Sequence, residues 1–341
     1  MHGTRTLASS SPDSAHISSL TTSAETGRPA FPGTAPIHLA AIRAIERLAA
    51  FEQATVLIEG ESGTGKSYVA RHLHQSSPRA RGPFHQVLLS TLDDNLAASD
   101  LFGHLSGSYT DARQSRPGHF VSANKGTLFL DEIGKASRGV QRKLLHAVEH
   151  KEIWPVGGDR AVRLDVRLVT ATNISLESLV ERELFLPDLA ARLINFRVRL
   201  PSLRQRRGDI PALVRQFISV RASSCGHPLQ APTVDPVLMN ALQESDWPYN
   251  LRQLDGAIQR LLMEAQGECV LTLAHWTDDL AGVLVPASTR PLLTPKRVHE
   301  CMTERKTVTA TAKALGVSRW TVGRYMKRAS EGQASLEPIQ P

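Results

Sequence analysis

Apolar and polar positions change rhythm several times along this chain, and each rhythm predicts a different element. In "IHLAAIRAIERLAAF" the apolar residues recur at helical intervals, so an amphipathic helix is expected from about His38 to Phe51. "ATVLIEG" is instead a short continuous apolar run closed by glycine, the pattern of a strand buried on both faces. "KSYVARHLHQ" returns to helical spacing, and "GTLFLDE" and "DVRLVTATN" read as further apolar strands. Buried strands alternating with helices predict an α/β fold, a parallel sheet with helices on both faces. Beyond "LPSLRQRRGDIP" the strands stop. "PALVRQFISVRA", "PVLMNALQES" and "LRQLDGAIQRLLMEA" are helical patterns that make a small helical domain. "LAGVLVPASTRPLLTP" has the composition of a linker, and residues 292 to 328 form a last helical module. The chain shows no internal repeat.

Length and composition narrow the class. The 341 residues leave room for two or three domains, and 41% hydrophobic content suits a soluble globular protein. Nothing approaches the apolar run of a membrane span, so no membrane partner is expected. The opening "MHGTRTLASSSPDSAHISSLTTSAETGRPA" lacks the apolar core of a secretory signal and reads as a disordered tail. Cys225, Cys269 and Cys301 are odd in number and far apart, which argues against a disulfide framework or a zinc site and for a cytoplasmic protein with reduced thiols. The net charge of +7 is unevenly placed. Between Arg290 and Arg328 the basic residues far outnumber the acids, which are Glu300 and Glu304 alone. A near-neutral body with a basic C-terminal module predicts duplex DNA as a partner of that module.

The strongest chemical signal is "GESGTGKS", the run Gly60, Glu61, Ser62, Gly63, Thr64, Gly65, Lys66, Ser67, which satisfies the P-loop pattern between a strand and a helix. Glycines there let backbone N–H groups curl around phosphates, and the helix N-terminus adds a favourable dipole. Lys66 is expected at the β- and γ-phosphates of ATP and the Ser67 hydroxyl in the shell of Mg²⁺. Asp131, at the end of "TLFLDE", is placed to hold the same Mg²⁺ through water, and Glu132 to polarise the attacking water. An ATPase is therefore expected. Near the C-terminus, "TVTATAKALGVSRWTVGRYMKRA" has the grammar of a helix-turn-helix. Gly316 supplies the turn and Ser318 an N-cap. Arg319, Trp320, Thr321, Arg324 and Lys327 then face a major groove and its phosphates. Trp320 and Tyr325 serve equally well as core or dimer packing.

"GTGKS", "LFGH", "GTLFLDEIG", "ATN", "LPSLRQRRGDIP" and "WPYNLRQL" occur in an order that resembles the sigma-54-dependent transcriptional activators, bacterial enhancer-binding proteins of the AAA+ class. The resemblance implies a tail over 1–36, an AAA+ α/β nucleotide-binding subdomain over 37–205 and a helical lid over 206–282. A linker over 283–291, a Fis-like helix-turn-helix domain over 292–330 and a tail over 331–341 complete the organisation. It also implies a ring, in such proteins a hexamer, that remodels sigma-54 RNA polymerase. Asn173 resembles the sensor I residue and Arg252 the sensor II residue that report on the γ-phosphate. Arg192 resembles an arginine reaching a neighbour's nucleotide. Tyr109 and Thr110 fall in the loop that grips sigma-54. No N-terminal regulatory domain is expected, because the family-like region begins near residue 37.

The chain departs from the family pattern at three places. Leu88 stands where the family carries an asparagine that restrains the catalytic glutamate. Leu186 stands at the first of two arginine positions in "FLPDLAAR", leaving Arg192. The remodelling loop, GAFTGA in the family, reads Gly107, Ser108, Tyr109, Thr110, Asp111, Ala112, so an acid replaces the second glycine. These changes keep two alternatives open beside an activator. One is a DNA-binding regulator whose ATPase core is an oligomerisation scaffold or a co-subunit of a hetero-oligomer. The other is a remodeller of a protein other than sigma-54.

Overall fold

The computed structural model describes residues 33–92, 96–108, 114–222 and 231–276, with positions 302, 303, 307, 308 and 311. These divide into two compact units, Pro36–Ser202 and a second built from residues 33–35 and the described residues from Leu203 onward. In the first unit, helix α1 (Pro36–Ala49) precedes strand β1 (Val56–Glu59), helix α2 (Lys66–Gln75) and strand β2 (Phe84–Leu88). Short helices α3 (Ala97–Phe102) and α4 (His119–Ser122) lead to β3 (Thr127–Asp131) and the longer α5 (Arg138–His150). A small hairpin, β4 (Glu152–Ile153) and β5 (Val162–Arg163), then precedes β6 (Arg167–Thr172), α6 (Leu176–Glu181), α7 (Pro187–Leu193) and β7 (Phe196–Arg199). Helix α1 starts two positions before His38 because Pro36 occupies the first turn, where its missing N–H costs nothing.

The five-stranded sheet has the order β2-β3-β6-β1-β7, with every pairing parallel. Alternate residues face opposite layers. Leu57, Leu128, Leu130 and Leu168 pack with α3, α5, α6 and α7, whereas Val56, Ile58, Phe129, Val169 and Val198 pack against α1 and α2. Burial on both faces explains the continuous apolar runs in the sequence. Strand β7 and the β4–β5 hairpin escape the sequence reading. Two arginines interrupt "FRVR", and the hairpin is too short to set a period. Among the described residues of this unit, one charged side chain is wholly buried. Arg167 opens β6 with 0% exposure and donates to the carbonyls of Ala49 (3.2 Å) and Leu48 (2.6 Å), the last turn of α1. Burial lowers its pKa to about 10, so it stays a cation at neutral pH and satisfies carbonyls the helix leaves unpaired.

The second unit is helical: α8 (Ile210–Arg221), α9 (Pro236–Glu244) and α10 (Asn250–Ala265), tied by a short ladder of β8 (Thr233–Val234) and β9 (Val270–Leu271). Phe217, Leu238, Leu242, Leu254, Ile258 and Leu261 fill its interior. Trp247, fully buried, donates its indole N–H to the Leu242 carbonyl at 2.7 Å. Asp255 of α10 receives both Nε (3.1 Å) and Nη2 (2.6 Å) of Arg221 from α8. Asp209 Oδ1 accepts from the backbone N–H groups of Thr34 (2.6 Å) and Ala35 (2.9 Å), which fixes that stretch to this unit. Trp247→Ala should lower the stability of the helical unit by about 3–5 kcal/mol through the cavity and the orphaned carbonyl. Urea unfolding followed in that unit checks this, and an unchanged midpoint would contradict the packing.

Candidate nucleotide-binding and catalytic site

Strand β1 delivers the chain to the P-loop, and the loop takes its shape from glycines. Gly63 (φ 76°) and Gly65 (φ 97°) occupy the left-handed region, which side chains with a Cβ rarely enter. A Cβ on Gly60 would lie 2.9 Å from Thr64 Oγ1, so that position also requires glycine. Thr64 Oγ1 donates to the Glu61 carbonyl at 2.8 Å and closes the curl. Lys66, the first residue of α2, folds back so that Nζ donates to the carbonyls of Gly60 (2.8 Å) and Glu61 (2.9 Å). Glu61, Ser62, Gly63 and Gly65 are half-buried along the rim. The loop is thus built around a cation, with helix α2 pointing its positive end the same way.

Ser67 and Asp131 meet above the sheet. Ser67 Oγ donates to Asp131 Oδ2 at 3.1 Å, and the backbone N–H of Glu132 donates to Asp131 Oδ1 at 3.0 Å. Burial pushes the Asp131 carboxyl above the ordinary carboxylate range, while Lys66 and the Ser67 hydroxyl pull it back. A hydroxyl and a carboxylate side by side are the hard oxygen donors that Mg²⁺ takes, and a buried carboxylate short of positive charge fits such an ion. Glu132 follows at φ 57°, ψ 45°, a left-handed conformation that costs about 1–2 kcal/mol in a residue with a Cβ. Its carboxylate therefore leaves the strand in a direction that extended backbone would not give. Leu88 pairs in register with Asp131, so an apolar side chain borders the residue before Glu132.

Asn173 emerges from the end of β6, the strand between β1 and β3, and is exposed. The N–H of Gly60 donates to the Thr172 carbonyl at 3.2 Å, which joins the P-loop to the Asn173 turn. The fold thus gathers Gly60 to Ser67, Asp131, Glu132 and Asn173 at the C-terminal ends of β1, β3 and β6. Arg252 lies exposed on the first turn of α10 in the helical unit. Arg192 lies on α7, more than half exposed, and pairs with Glu149 Oε1 of α5 at 3.1 Å. Leu186 caps α7: its N–H donates to Gln141 Oε1 at 2.8 Å, and its side chain packs against the core. Tyr109, Thr110 and Asp111 lie outside the described residues, as do Ser318, Arg319, Trp320, Thr321, Arg324 and Lys327.

The base of the Tyr109 loop is described, and it holds a residue the sequence reading did not single out. His104 is buried, with Nδ1 2.7 Å from Ser99 Oγ and Nε2 2.9 Å from the Gln114 carbonyl. A carbonyl can only accept, so Nε2 carries a proton, and in the neutral ring Nδ1 accepts from the Ser99 hydroxyl. The imidazole thereby straps the outgoing chain to the returning chain. Gly103 and Leu105 also bond to Val156 beyond β4, joining the loop base to the small hairpin.

Both units resemble known proteins. The model of the sigma-54 interaction domain matches residues 33–199, and that of the AAA+ ATPase lid domain matches 204–283. The DNA-binding transcriptional regulator NtrC of Salmonella typhimurium is 42% identical over 257 residues, 75% of this chain and 53% of that protein. The Nif-specific regulatory protein of Azospirillum brasilense is 39% identical over 239 residues, 70% of this chain and 38% of that one. The chain spans about half the length of the first of these relatives. Crystal structures of NtrX from Brucella abortus are similar in fold. The ADP complex has a TM-score of 0.69 at 29% identity and covers 89% of this chain and 70% of its own. For the ATP complex the TM-score is 0.69 at 28% identity, with coverages of 93% and 71%. The chain therefore belongs to the sigma-54 interaction family of AAA+ proteins and is a homologue of the NtrC and Nif-specific regulators.

Proposed function

We propose that this chain is an ATP-dependent transcriptional regulator that acts on sigma-54 RNA polymerase through an oligomeric ring and binds duplex DNA through its C-terminal helix-turn-helix. One observation carries the ATPase reading: Ser67 and Asp131 share a hydrogen bond beside the cation of Lys66, with Glu132 next in the chain. In this reading the P-loop amides and Lys66 bind the phosphates of ATP, and Glu132 orients and deprotonates the attacking water. Ser67 and Asp131 would hold Mg²⁺, which when bound offsets phosphate charge. Asn173 takes the sensor I role toward the γ-phosphate, and Arg252 the sensor II role.

A second reading rests on Leu186. Its side chain is packed against the core, so this position offers no charge to a neighbouring nucleotide, and Arg192 alone remains, engaged with Glu149. An arginine supplied by a neighbour is worth about 10³-fold or more in rate. A hetero-oligomer in which a related subunit with both arginines completes some of the sites follows from this shortage, and a homo-oligomer with ordinary turnover would exclude it.

Lys66→Ala should abolish nucleotide binding or hydrolysis, whereas Glu132→Gln should retain binding and lose hydrolysis. Equilibrium ATP binding and phosphate release on the full chain separate the two. Absence of ATP binding by the wild type under oligomerising conditions would refute the reading.

Asp111 provides a test of the sigma-54 contact. In a six-fold ring the loop tips gather near the axis, where carboxylates ~10 Å apart repel by ~0.4 kcal/mol per pair in water-like surroundings. Summed around a ring, that repulsion opposes clustering of the Tyr109 tips. Sigma-54 binding in the presence of an ATP transition-state analogue should be weak in the wild type, stronger in Asp111→Gly and lost in Tyr109→Ala. Equal binding by all three would show that the contact lies elsewhere.

The DNA module is tested by truncation after Ser288. The full chain should bind duplex DNA with steep salt dependence, because each phosphate contact releases counterions. The truncated chain should lose specific binding and keep nucleotide binding. An unchanged footprint would refute the helix-turn-helix assignment.

A further inference from the structure

Immediately before the P-loop, the last residue of β1 is a carboxylate that the sequence reading passed over. Glu59 is 8% exposed and stands in register with Arg199 of β7, while Leu57 stands in register with Arg197. Strand alternation puts Glu59, Arg197 and Arg199 on one face, opposite Val198. Arg199 Nε donates to Glu59 Oε2 at 2.9 Å, and Arg197 Nε lies 3.4 Å from Glu59 Oε1. The other end of the Arg197 guanidinium, Nη2, donates to Glu177 Oε1 on α6. Glu177 is itself fastened: its Oε2 accepts from Ser175 Oγ at 2.7 Å, and Ser175 N-caps α6 by accepting from the Ser178 N–H at 3.3 Å.

Between β6 and α6 lies the turn that carries Asn173. Thr172 Oγ1 fixes its near side, accepting from the Ile174 N–H at 3.1 Å and donating to the Ile174 carbonyl at 2.7 Å. Ser175 and Glu177 fix its far side. Arg197 is thus the side chain that connects the far side of the Asn173 turn to the strand that opens the P-loop. Surface ion pairs contribute little, typically about 0–1 kcal/mol. This pair differs on its inner side: the Arg197 and Glu59 side chains are 19% and 11% exposed, so water screens their contact weakly. Glu177 is the outer partner, about half exposed, and its carboxyl is held down to about 2, chiefly by the hydrogen bond from Arg197.

We propose that Arg197 is a positioning residue for ATP hydrolysis: it sets Asn173 against the P-loop by bridging Glu59 to Glu177. This rests on the ATPase reading above and adds to it a residue that touches no substrate atom. The consequence is a division of labour. Backbone amides and Lys66 bind the phosphates common to ADP and ATP, so loss of Arg197 leaves ADP binding unchanged. Sensing of the γ-phosphate depends on where Asn173 stands, so loss of Arg197 weakens discrimination between ATP and ADP and slows hydrolysis.

The test compares wild type with Arg197→Met, Arg197→Lys, Glu177→Ala, Asn173→Ala and the double variant Asn173→Ala/Arg197→Met, all as full chains. Three readouts are used: kcat and KM for ATP, Kd for ADP, and the affinity ratio of a slowly hydrolysed ATP analogue to ADP. Arg197→Met should lower kcat about tenfold and bring the affinity ratio toward unity, with the ADP Kd within about twofold of wild type. Arg197→Lys should recover part of the loss. In the Asn173→Ala background, Arg197→Met should have no further effect on kcat or the ratio, because it acts through the residue already removed. Additive losses, or an ADP Kd that weakens in step with kcat, would overturn the proposal in favour of a merely structural ion pair. Should Arg197→Met fail to fold, Glu177→Ala, which removes the acceptor at a half-exposed position, decides: a wild-type ratio and kcat would overturn the proposal equally. Wild type that binds both nucleotides but does not hydrolyse ATP would refute the ATPase reading, and the affinity ratio would still judge Arg197.

Discussion

Ser67 and Asp131 touch across a strand to which neither belongs, and the rest of the site depends on that contact. Ser67 follows β1, Asp131 ends β3, and β6 runs between them. Their hydrogen bond is possible because all three strands run parallel and end at one level, so that β1 and β6 pair Glu59 with Thr172 and β2 and β3 pair Leu88 with Asp131. A slip of one residue in any ladder would turn a donor to the opposite face of the sheet. The two hydrophobic layers, Leu57 with Leu128 and Leu130 on one side and Val56 with Ile58 and Phe129 on the other, forbid that slip. Packing thereby sets the position of the polar groups, and those groups then meet above the strand ends, where α/β sheets bind ligands.

The P-loop was legible because its residues answer local demands. Glycines at positive φ, a lysine that folds back on loop carbonyls and a serine at the start of a helix leave a dense mark in a short stretch. The apolar runs of β1, β3 and β6 were legible for a related reason, since burial on both faces removes polar letters. What stayed hidden depends on distant partners. "FRVR" looked unlike a strand because its arginines face Glu59 and Glu177, residues 140 and 20 positions away, and no local period records that. His104 was likewise silent, since its role as a strap comes from the Ser99 hydroxyl and the Gln114 carbonyl on either side of it. Helix α1 was legible in type, though its start moved to Pro36, where proline tolerates the first turn.

The departures from the family pattern acquire physical meaning in this frame. Leu88 stands in register with Asp131 and carries only hydrocarbon, so what holds the Glu132 backbone is its own left-handed conformation and its N–H bond to Asp131. Leu186 contributes to the core that seats α7, a role an exposed arginine would not fill. Arg192 on the same helix is paired with Glu149 at the surface, an exposed ion pair weak enough for a phosphate to displace. On the proposed reading, the chain keeps the groups that would bind and position nucleotide and is sparing with those it would offer to a neighbour.

Specific ATPase activity measured against protein concentration tests this account most directly. On the role proposed for Arg192, which is carried on an exposed helix face, activity per chain should rise steeply with concentration across the range where the oligomer forms. Adding a related subunit that carries both arginines should raise it further, beyond the sum of the separate rates. Activity per chain that stays constant from nanomolar to high micromolar concentration, or no hydrolysis under any of these conditions, would contradict a site completed between subunits.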